Sequence, residues 1–340
     1  MTRGYKERKE MNLNPNIINA YKVLDGGEIS ETEAIALTKV NGSDILDLVS
    51  LSNKVRDKFA PKIVACSIIN AKSGICSQNC RFCAQAGCHH TGVDTYPLLP
   101  PEKILNSARQ VYKLGVRSFG IVTSGLGYLD VDDEFQRILA VMNLLRKELP
   151  ELKICLSLGI LSETTAALLA EHGAWRYNMN LQTNPERYAE LISSSHSIDA
   201  KIQTIRHLQK YGVSICCGGI FGLGESWNDQ VKMAIACREL KVDGIPLNVL
   251  LPIKGTPLEN RTPMDAADAA KAFAIFRLIN PTKMIKFAAG RETTMKDFQG
   301  LLMLAGMNSM ITGGYLTTRG RSVEEDSSFL KQLSLFTDNA

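Results

Sequence analysis

The sequence predicts an α/β fold, a (β/α)8 barrel of the TIM type with a helical N-terminal extension. Three observations carry this reading. Short apolar runs without strict alternation recur eight times, each separated from the next by a stretch of helical periodicity, the pattern of a parallel sheet covered on its outer face. The chain has 340 residues, enough for one such barrel. Gly115, Gly173 and Gly212 each end a helical stretch just before a strand, where a left-handed cap belongs.

The elements follow in order. "SETEAIALTKV" opens on a capping box, Ser30 with Glu33 three residues on. "SDILDLVSLSNKVRDKF" repeats apolar residues at helical spacing, and "KIVACSII" is the first buried strand. Helices over "PEKILNSARQVYKLG", "DEFQRILAVMNLLRKEL", "SETTAALLAEHG" and "AKIQTIRHLQKYG" precede strands "VRSFGIV", "LKICLSLG", "WRYNMNL" and "VSICCGGIFG". Helices over "NDQVKMAIACREL", "DAADAAKAFAIFRLI" and "TTMKDFQGLLMLAG" alternate with strands "DGIPLNVL", "KMIKFAAG" and "NSMITG". The division is residues 1–60 as helical extension, 61–320 as barrel and 321–340 as a helical tail.

Composition narrows the class. Hydrophobic residues make up 45% and charged residues 22%, the balance of a globular enzyme with a sizeable core. A net charge of +4, with no basic run interleaved with aromatics, argues against nucleic acid. No apolar run is long enough for a bilayer. The start, "MTRGYKERKEMNLN", lacks the apolar core of a secretory signal, and Met11 reads as the natural start behind a variable tail. The expected compartment is therefore the cytoplasm. Nine cysteines there remain thiols, and an odd count leaves one unpaired in any case.

Four of those cysteines fall in "GICSQNCRFCAQAGC", directly after the first strand and so at the barrel's active face. Cys76, Cys80 and Cys83 are spaced C-x3-C-x2-C. A zinc ribbon wants two C-x2-C pairs, and only Cys80–Cys83 qualifies. A fully ligated ferredoxin-type cluster wants four cysteines. Three thiolates can hold three irons of a [4Fe–4S] cubane and leave the fourth open, as a catalytic metal requires.

The loop resembles that of the radical S-adenosylmethionine superfamily, with Phe82 as the aromatic residue before the last cysteine. In that superfamily the open iron chelates S-adenosylmethionine and one electron releases a 5′-deoxyadenosyl radical. "GGIFGLGE" resembles the superfamily's fifth-strand segment, which implies Ile220 on the adenine face and Glu225 fixing the loop beneath. "TSG" places Ser124 near the methionine amino group.

Within the superfamily the chain resembles the biotin synthase family. "LGILSE", "YNMNLQTNPE", "LNVLLPIKGTPL", "AAGRE" and "GGYLTT" occur in that family's order. The resemblance implies sulfur insertion between C6 and C9 of dethiobiotin, with sulfur from an auxiliary iron–sulfur cluster. It also implies a flavodoxin or ferredoxin reductant, sulfide or a cysteine desulfurase as sulfur source, and a homodimer. By resemblance Asn180 touches substrate and cofactor, Asn248 binds the ureido group, and Gln182 stands where relatives place an aspartate on the ribose. Asn178 alternates with Asn180 on the fourth strand and so faces the same interior.

The family's usual [2Fe–2S] ligands are three cysteines and an arginine. Cys155 and Cys216 match, but Gly120 and Lys286 occupy the other two positions. Cys66, on the first strand, offers a replacement. Side chains of alternate strands fill one barrel layer, so Cys66, Cys155 and Cys216, with Lys286, can share one. The expectation is an auxiliary cluster of the 4Fe type on these three thiolates, which makes them the sulfur-handling residues. Cys88 and Cys217 are weaker candidates, and Cys237 reads as core. The rival enzymatic reading is a hydrogenase-cofactor maturase on the same barrel. Lipoyl synthase would need cysteines ahead of Cys66. A simple electron carrier would not respond to S-adenosylmethionine.

Overall fold

Eight parallel strands close into a ring in the computed structural model, which describes residues 13–317 and 320–337. The reading of a variable tail ahead of Met11 lies outside the described residues. The strands are β1 (Val64–Lys72), β2 (Ser118–Thr123), β3 (Lys153–Ser157), β4 (Arg176–Asn178), β5 (Ser214–Cys216, resuming at Gly219–Phe221), β6 (Gly244–Val249), β7 (Met284–Phe287) and β8 (Ser309–Ile311). Each pairs with the next, and β8 returns to β1 with Cys66 opposite Ile311. The expected (β/α)8 barrel is the fold observed.

The break in β5 falls where the strand crowds its neighbour. A Cβ at Gly218 would stand 2.1 Å from the Pro246 carbonyl oxygen, so the chain bends there against β6 and resumes one step on. Strands this apolar are held by helices on the outside. These are α4 (Pro101–Lys113), α5 (Asp133–Glu148), α6 (Glu163–Glu171), α8 (Ile198–Lys210), α9 (Trp227–Glu239), α10 (Ala266–Ile279) and α11 (Gln299–Leu304), with the one-turn α7 (Tyr188–Leu191) ahead of α8. Gly115, Gly173 and Gly212 have φ of 91°, 87° and 73°, so each helix stops where only glycine turns left without strain. The seventh outer helix is shorter than expected. Lys296 takes φ of 48°, and only a 3-10 turn precedes Gln299.

The N-terminal extension holds α1 (Pro15–Ala20), α2 (Glu31–Leu37) and α3 (Asp44–Phe59). The first helical stretch read from the sequence opens at Ser30 and misses α1, whose six residues are too few to show a period. Its start is nonetheless encoded, with Pro15 in the first turn and the Asn14 side chain accepting the Asn16 amide at 3.0 Å. The expected capping box of α2 is present in both directions: the Glu33 amide donates to Ser30 Oγ and the Ser30 amide to Glu33 Oε2. α2 packs on α9 and α3 on α10, away from the mouth of the barrel.

The C-terminal tail forms α12 (Val323–Ser334). Arg291, fully buried just after β7, binds Asp326 at 2.8 Å and Glu292 at 2.7 Å and so bolts this helix to the barrel rim.

Candidate active site

The cysteine loop folds back on itself beyond β1. The Cys76 amide donates to the Gln85 carbonyl at 3.0 Å, the Gly87 amide to the Cys76 carbonyl at 2.8 Å, and the Cys83 amide to the Cys80 carbonyl at 3.0 Å. A polar brace from beyond α7, missed in the sequence, grips it from the side. Ser193 Oγ donates to Asn79 Oδ1 at 2.7 Å and Ser195 Oγ to Gln78 Oε1 at 2.8 Å. His196 sits between Tyr188 Oη at 2.7 Å and Gln78 Oε1 at 3.1 Å. Burial takes the His196 imidazole down to about 4, so it is neutral at pH 7.

The three loop thiols are half-buried and close enough to affect one another. Burial pushes the Cys83 thiol up to about 11, although the Gln85 and Ala86 amides donate toward its sulfur. Cys80 is also raised by burial. Thiols placed so are hard to ionise alone and are stable as thiolates only against metal. Three soft donors on one loop, with amide support, are a donor set that suits a cluster with one open iron. Exposed Cys88 stands with Sγ 4.0 Å from the Gln78 carbonyl and does not line the cavity described next.

A cavity of about 320 Å³ runs down the barrel from this loop. Phe82 and Cys83 line it at the mouth, and Cys66, Cys155, Cys216 and Lys286 line it further in. Burial lowers Lys286, but the thiols of Cys66, Cys216 and Cys155 facing it outweigh this and hold it above the ordinary lysine value. Burial raises Cys155 and Cys216. The expected layer is thus assembled from β1, β3, β5 and β7. Strand alternation sends Cys217 the other way, into the core, where the Cys237 thiol donates to its carbonyl at 3.3 Å. Gly120 faces Cys155 across β2 and β3.

Between the two thiol groups lie the amides. Asn178 Nδ2 donates to Ser157 Oγ at 3.4 Å, and Asn180 Oδ1 accepts the Gly218 amide at 3.2 Å. Buried Lys201, which burial draws down to about 8, donates to the Asn180 carbonyl and faces Cys80. Gln182, at φ of 72°, lines the cavity with its Oε1 buried and without a partner, an acceptor left for a ligand hydroxyl. Ile220 lines the wall nearby.

Three expected residues are already engaged. Asn248 lines the cavity, yet its Nδ2 donates to the Gly219 carbonyl at 2.9 Å and its Oδ1 accepts the Ala289 amide at 3.0 Å. Glu225 accepts the Gly222 and Gly224 amides at 2.8 and 3.0 Å and closes the turn after β5. Ser124 Oγ donates to the Gly74 carbonyl at 2.8 Å, bracing the cysteine loop from outside the cavity.

Arg176 was not singled out in the sequence. It opens β4 opposite Cys155, two residues before Asn178, and the alternation that sends Asn178 and Asn180 inward sends it inward as well.

Residues 71–235 match the Radical SAM superfamily and residues 246–335 the Biotin and Thiamin Synthesis associated domain. The chain is 53% identical to the biotin synthase of Chlorobaculum parvum over 330 residues, covering 96% of this chain and 99% of that one. It is also 53% identical to the biotin synthase of Chlorobaculum tepidum, with coverage of 96% and 99%. The chain belongs to the biotin synthase family. It is therefore a radical S-adenosylmethionine enzyme, a class that uses a [4Fe–4S] cluster and S-adenosylmethionine. Among solved structures, methylornithine synthase (PylB) has a TM-score of 0.80 at 19% identity, covering 93% of this chain and 95% of that one. The FeFe-hydrogenase maturase HydG from Carboxydothermus hydrogenoformans has a TM-score of 0.79 at 16% identity, covering 93% and 77%. At those identities the likeness shows the fold alone. Among the described residues no helix is long and apolar enough to cross a membrane.

Proposed function

We propose that this protein converts dethiobiotin to biotin, inserting sulfur between C6 and C9 with S-adenosylmethionine as the radical source. One observation carries the reading: a single cavity is lined at its mouth by the Cys83 loop and further in by Cys66, Cys155 and Cys216, with paired amides between. When bound, a [4Fe–4S] cluster on Cys76, Cys80 and Cys83 supplies the electron that cleaves S-adenosylmethionine, and an auxiliary cluster of the 4Fe type on Cys66, Cys155 and Cys216 supplies sulfur.

The chain's own residues position the reactants and exclude water. Gln182 offers its free Oε1 to a ribose hydroxyl, and Ile220 gives the adenine an apolar wall. Asn178 and Asn180 present amides to a ureido ring, which has both donors and acceptors. Largely apolar walls around the inner cavity keep a primary carbon radical away from bulk solvent. The reductant is a flavodoxin or ferredoxin, sulfide or a cysteine desulfurase restores the sulfur, and the enzyme works as a cytoplasmic homodimer.

Anaerobic turnover of reconstituted protein with dethiobiotin yields biotin and 5′-deoxyadenosine. Release of 5′-deoxyadenosine without biotin would refute the substrate. Cys66→Ala is expected to lose the auxiliary iron and biotin formation while still cleaving S-adenosylmethionine. Full iron content in that variant would refute the ligand set.

A further inference from the structure

Two cations face the inner thiols, and no carboxylate lines the cavity among the described residues. Lys286 is one. Arg176 is the other, and its surroundings are unusual for a guanidinium in a barrel interior. Its Nη1 donates to the Met284 sulfur at 3.3 Å, a weak acceptor. Its Cζ lies 4.1 Å from the centroid of the Trp175 ring, a cation–π contact. Its Nε is buried and without a partner.

The packing around it is built. A Cβ on Gly244 would stand 2.6 Å from Met284 Cε, 2.9 Å from Cys216 Sγ and 3.6 Å from Arg176 Nη1. Glycine at this point lets the guanidinium and the Cys216 sulfur meet over bare backbone. Arg176 also acts on the Cys155 and Cys216 thiols by charge and donates toward Cys216. Arg176 is half-buried, but its inward Nε is shut off from water, and such a donor is costly unless an anion completes it. The thiols and what they carry are the anions within its reach.

We propose that Arg176 is a positioning residue of the auxiliary centre, holding Cys216 and a sulfide-bearing anion from β4 while Lys286 acts on the same thiols from β7. The assignment rests on the auxiliary centre proposed above. Guanidinium is suited to this place because its fixed fork donates to two sulfurs at once, whereas an ammonium acts as a point charge.

The test isolates the auxiliary centre in the full chain carrying Cys76→Ser, Cys80→Ser and Cys83→Ser, reconstituted with iron and sulfide. Iron, acid-labile sulfide and the rate of iron loss to a chelator are measured with Arg176, with Arg176→Met and with Arg176→Lys. Loss of an outer partner typically weakens metal retention by about 10–100-fold, so Arg176→Met is expected to lose iron and sulfide at least about tenfold faster. Arg176→Lys is expected to recover part of that through charge alone. Thermal unfolding of the apo chains checks that all variants fold. Equal sulfide retention in the folded Arg176→Met chain overturns the proposal. So does a variant in the otherwise native chain that keeps its sulfide and only raises KM for dethiobiotin, since the guanidinium would then serve the substrate carboxylate. Absence of iron from the Arg176 chain itself overturns the auxiliary centre and this role with it.

Discussion

Replacing Asn248 separates a ligand-binding amide from one that holds the barrel together. The side chain joins three strands: it stands on β6, donates to the Gly219 carbonyl of β5 and accepts the Ala289 amide beyond β7. Asn248→Ala leaves one carbonyl and one amide without these partners. Each unsatisfied buried group costs about 1–3 kcal/mol. Ala289 is only half-buried, at the edge of the cavity, so water recovers part of the loss and the low end applies. The expected destabilisation is about 2–4 kcal/mol. Asn248→Asp preserves volume and the acceptor for Ala289 but turns an oxygen on the Gly219 carbonyl. It should therefore be no more stable than Asn248→Ala at neutral pH. Urea unfolding of the apo chains measures both, as a fall in midpoint at constant slope. Stability within about 0.5 kcal/mol of the parent, combined with a large rise in KM for dethiobiotin, would refute this reasoning and leave Asn248 a substrate ligand alone.

Other outcomes follow from the same structure. The Lys22 ammonium, with help from Ser30 and Asn19, holds the Glu33 carboxyl down at about 2, so its contribution is complete above the ordinary carboxylate range and fades as pH falls toward 2. Acid unfolding of Glu33→Gln should therefore differ from the parent by a constant amount above about pH 5 and converge with it in strong acid; a pH-independent difference would remove the electrostatic cause. Arg291→Met leaves buried Asp326 with Arg321 as its cation, at 3.8 Å, while Tyr315 still bonds Glu292, so the cost is about 3 kcal/mol, the low end for breaking a buried pair. Limited proteolysis should then cut the tail first, and an unchanged cleavage pattern would show that α12 is held by its apolar face.

What the sequence discloses depends on how far apart the interacting residues lie. Most helix periods, the capping box at Ser30 and the glycine caps are local and stand where the pattern puts them; α1 and the start of α11 do not. The C-x3-C-x2-C spacing locates one cluster loop, and strand alternation sorts Cys216 from Cys217. The break in β5 was not legible because its cause is the Pro246 carbonyl on another strand. The clamp on Gln78 and Asn79 comes from residues more than a hundred positions away. Arg176 was within reach of a local rule. Alternation applied to Asn178 and Asn180 leads back to it, but an arginine beginning a strand reads as solvent-facing until the barrel closes over it.

Gly120 tests whether the inner thiol layer is as compact as drawn. An ideal Cβ there would lie 3.8 Å from the Cys155 Cβ and 3.0 Å from Ile68 Cγ2. The first distance matches the mean separation across a disulfide, about 3.8 Å. The second requires the Ile68 methyl to yield by a few tenths of an ångström, an overpacking cost of about 1–3 kcal/mol. Gly120→Cys should therefore fold, and in the oxidised apo chain its new thiol should bond to Cys155. That bond withdraws one of the three thiolates from the auxiliary centre without touching Cys76, Cys80 or Cys83. Peptide mapping after thiol blocking identifies the bond directly. A cross-link to Cys66 or Cys216 instead, or a fully free Cys155 after oxidation, would mean that the second and third strands do not bring these positions face to face.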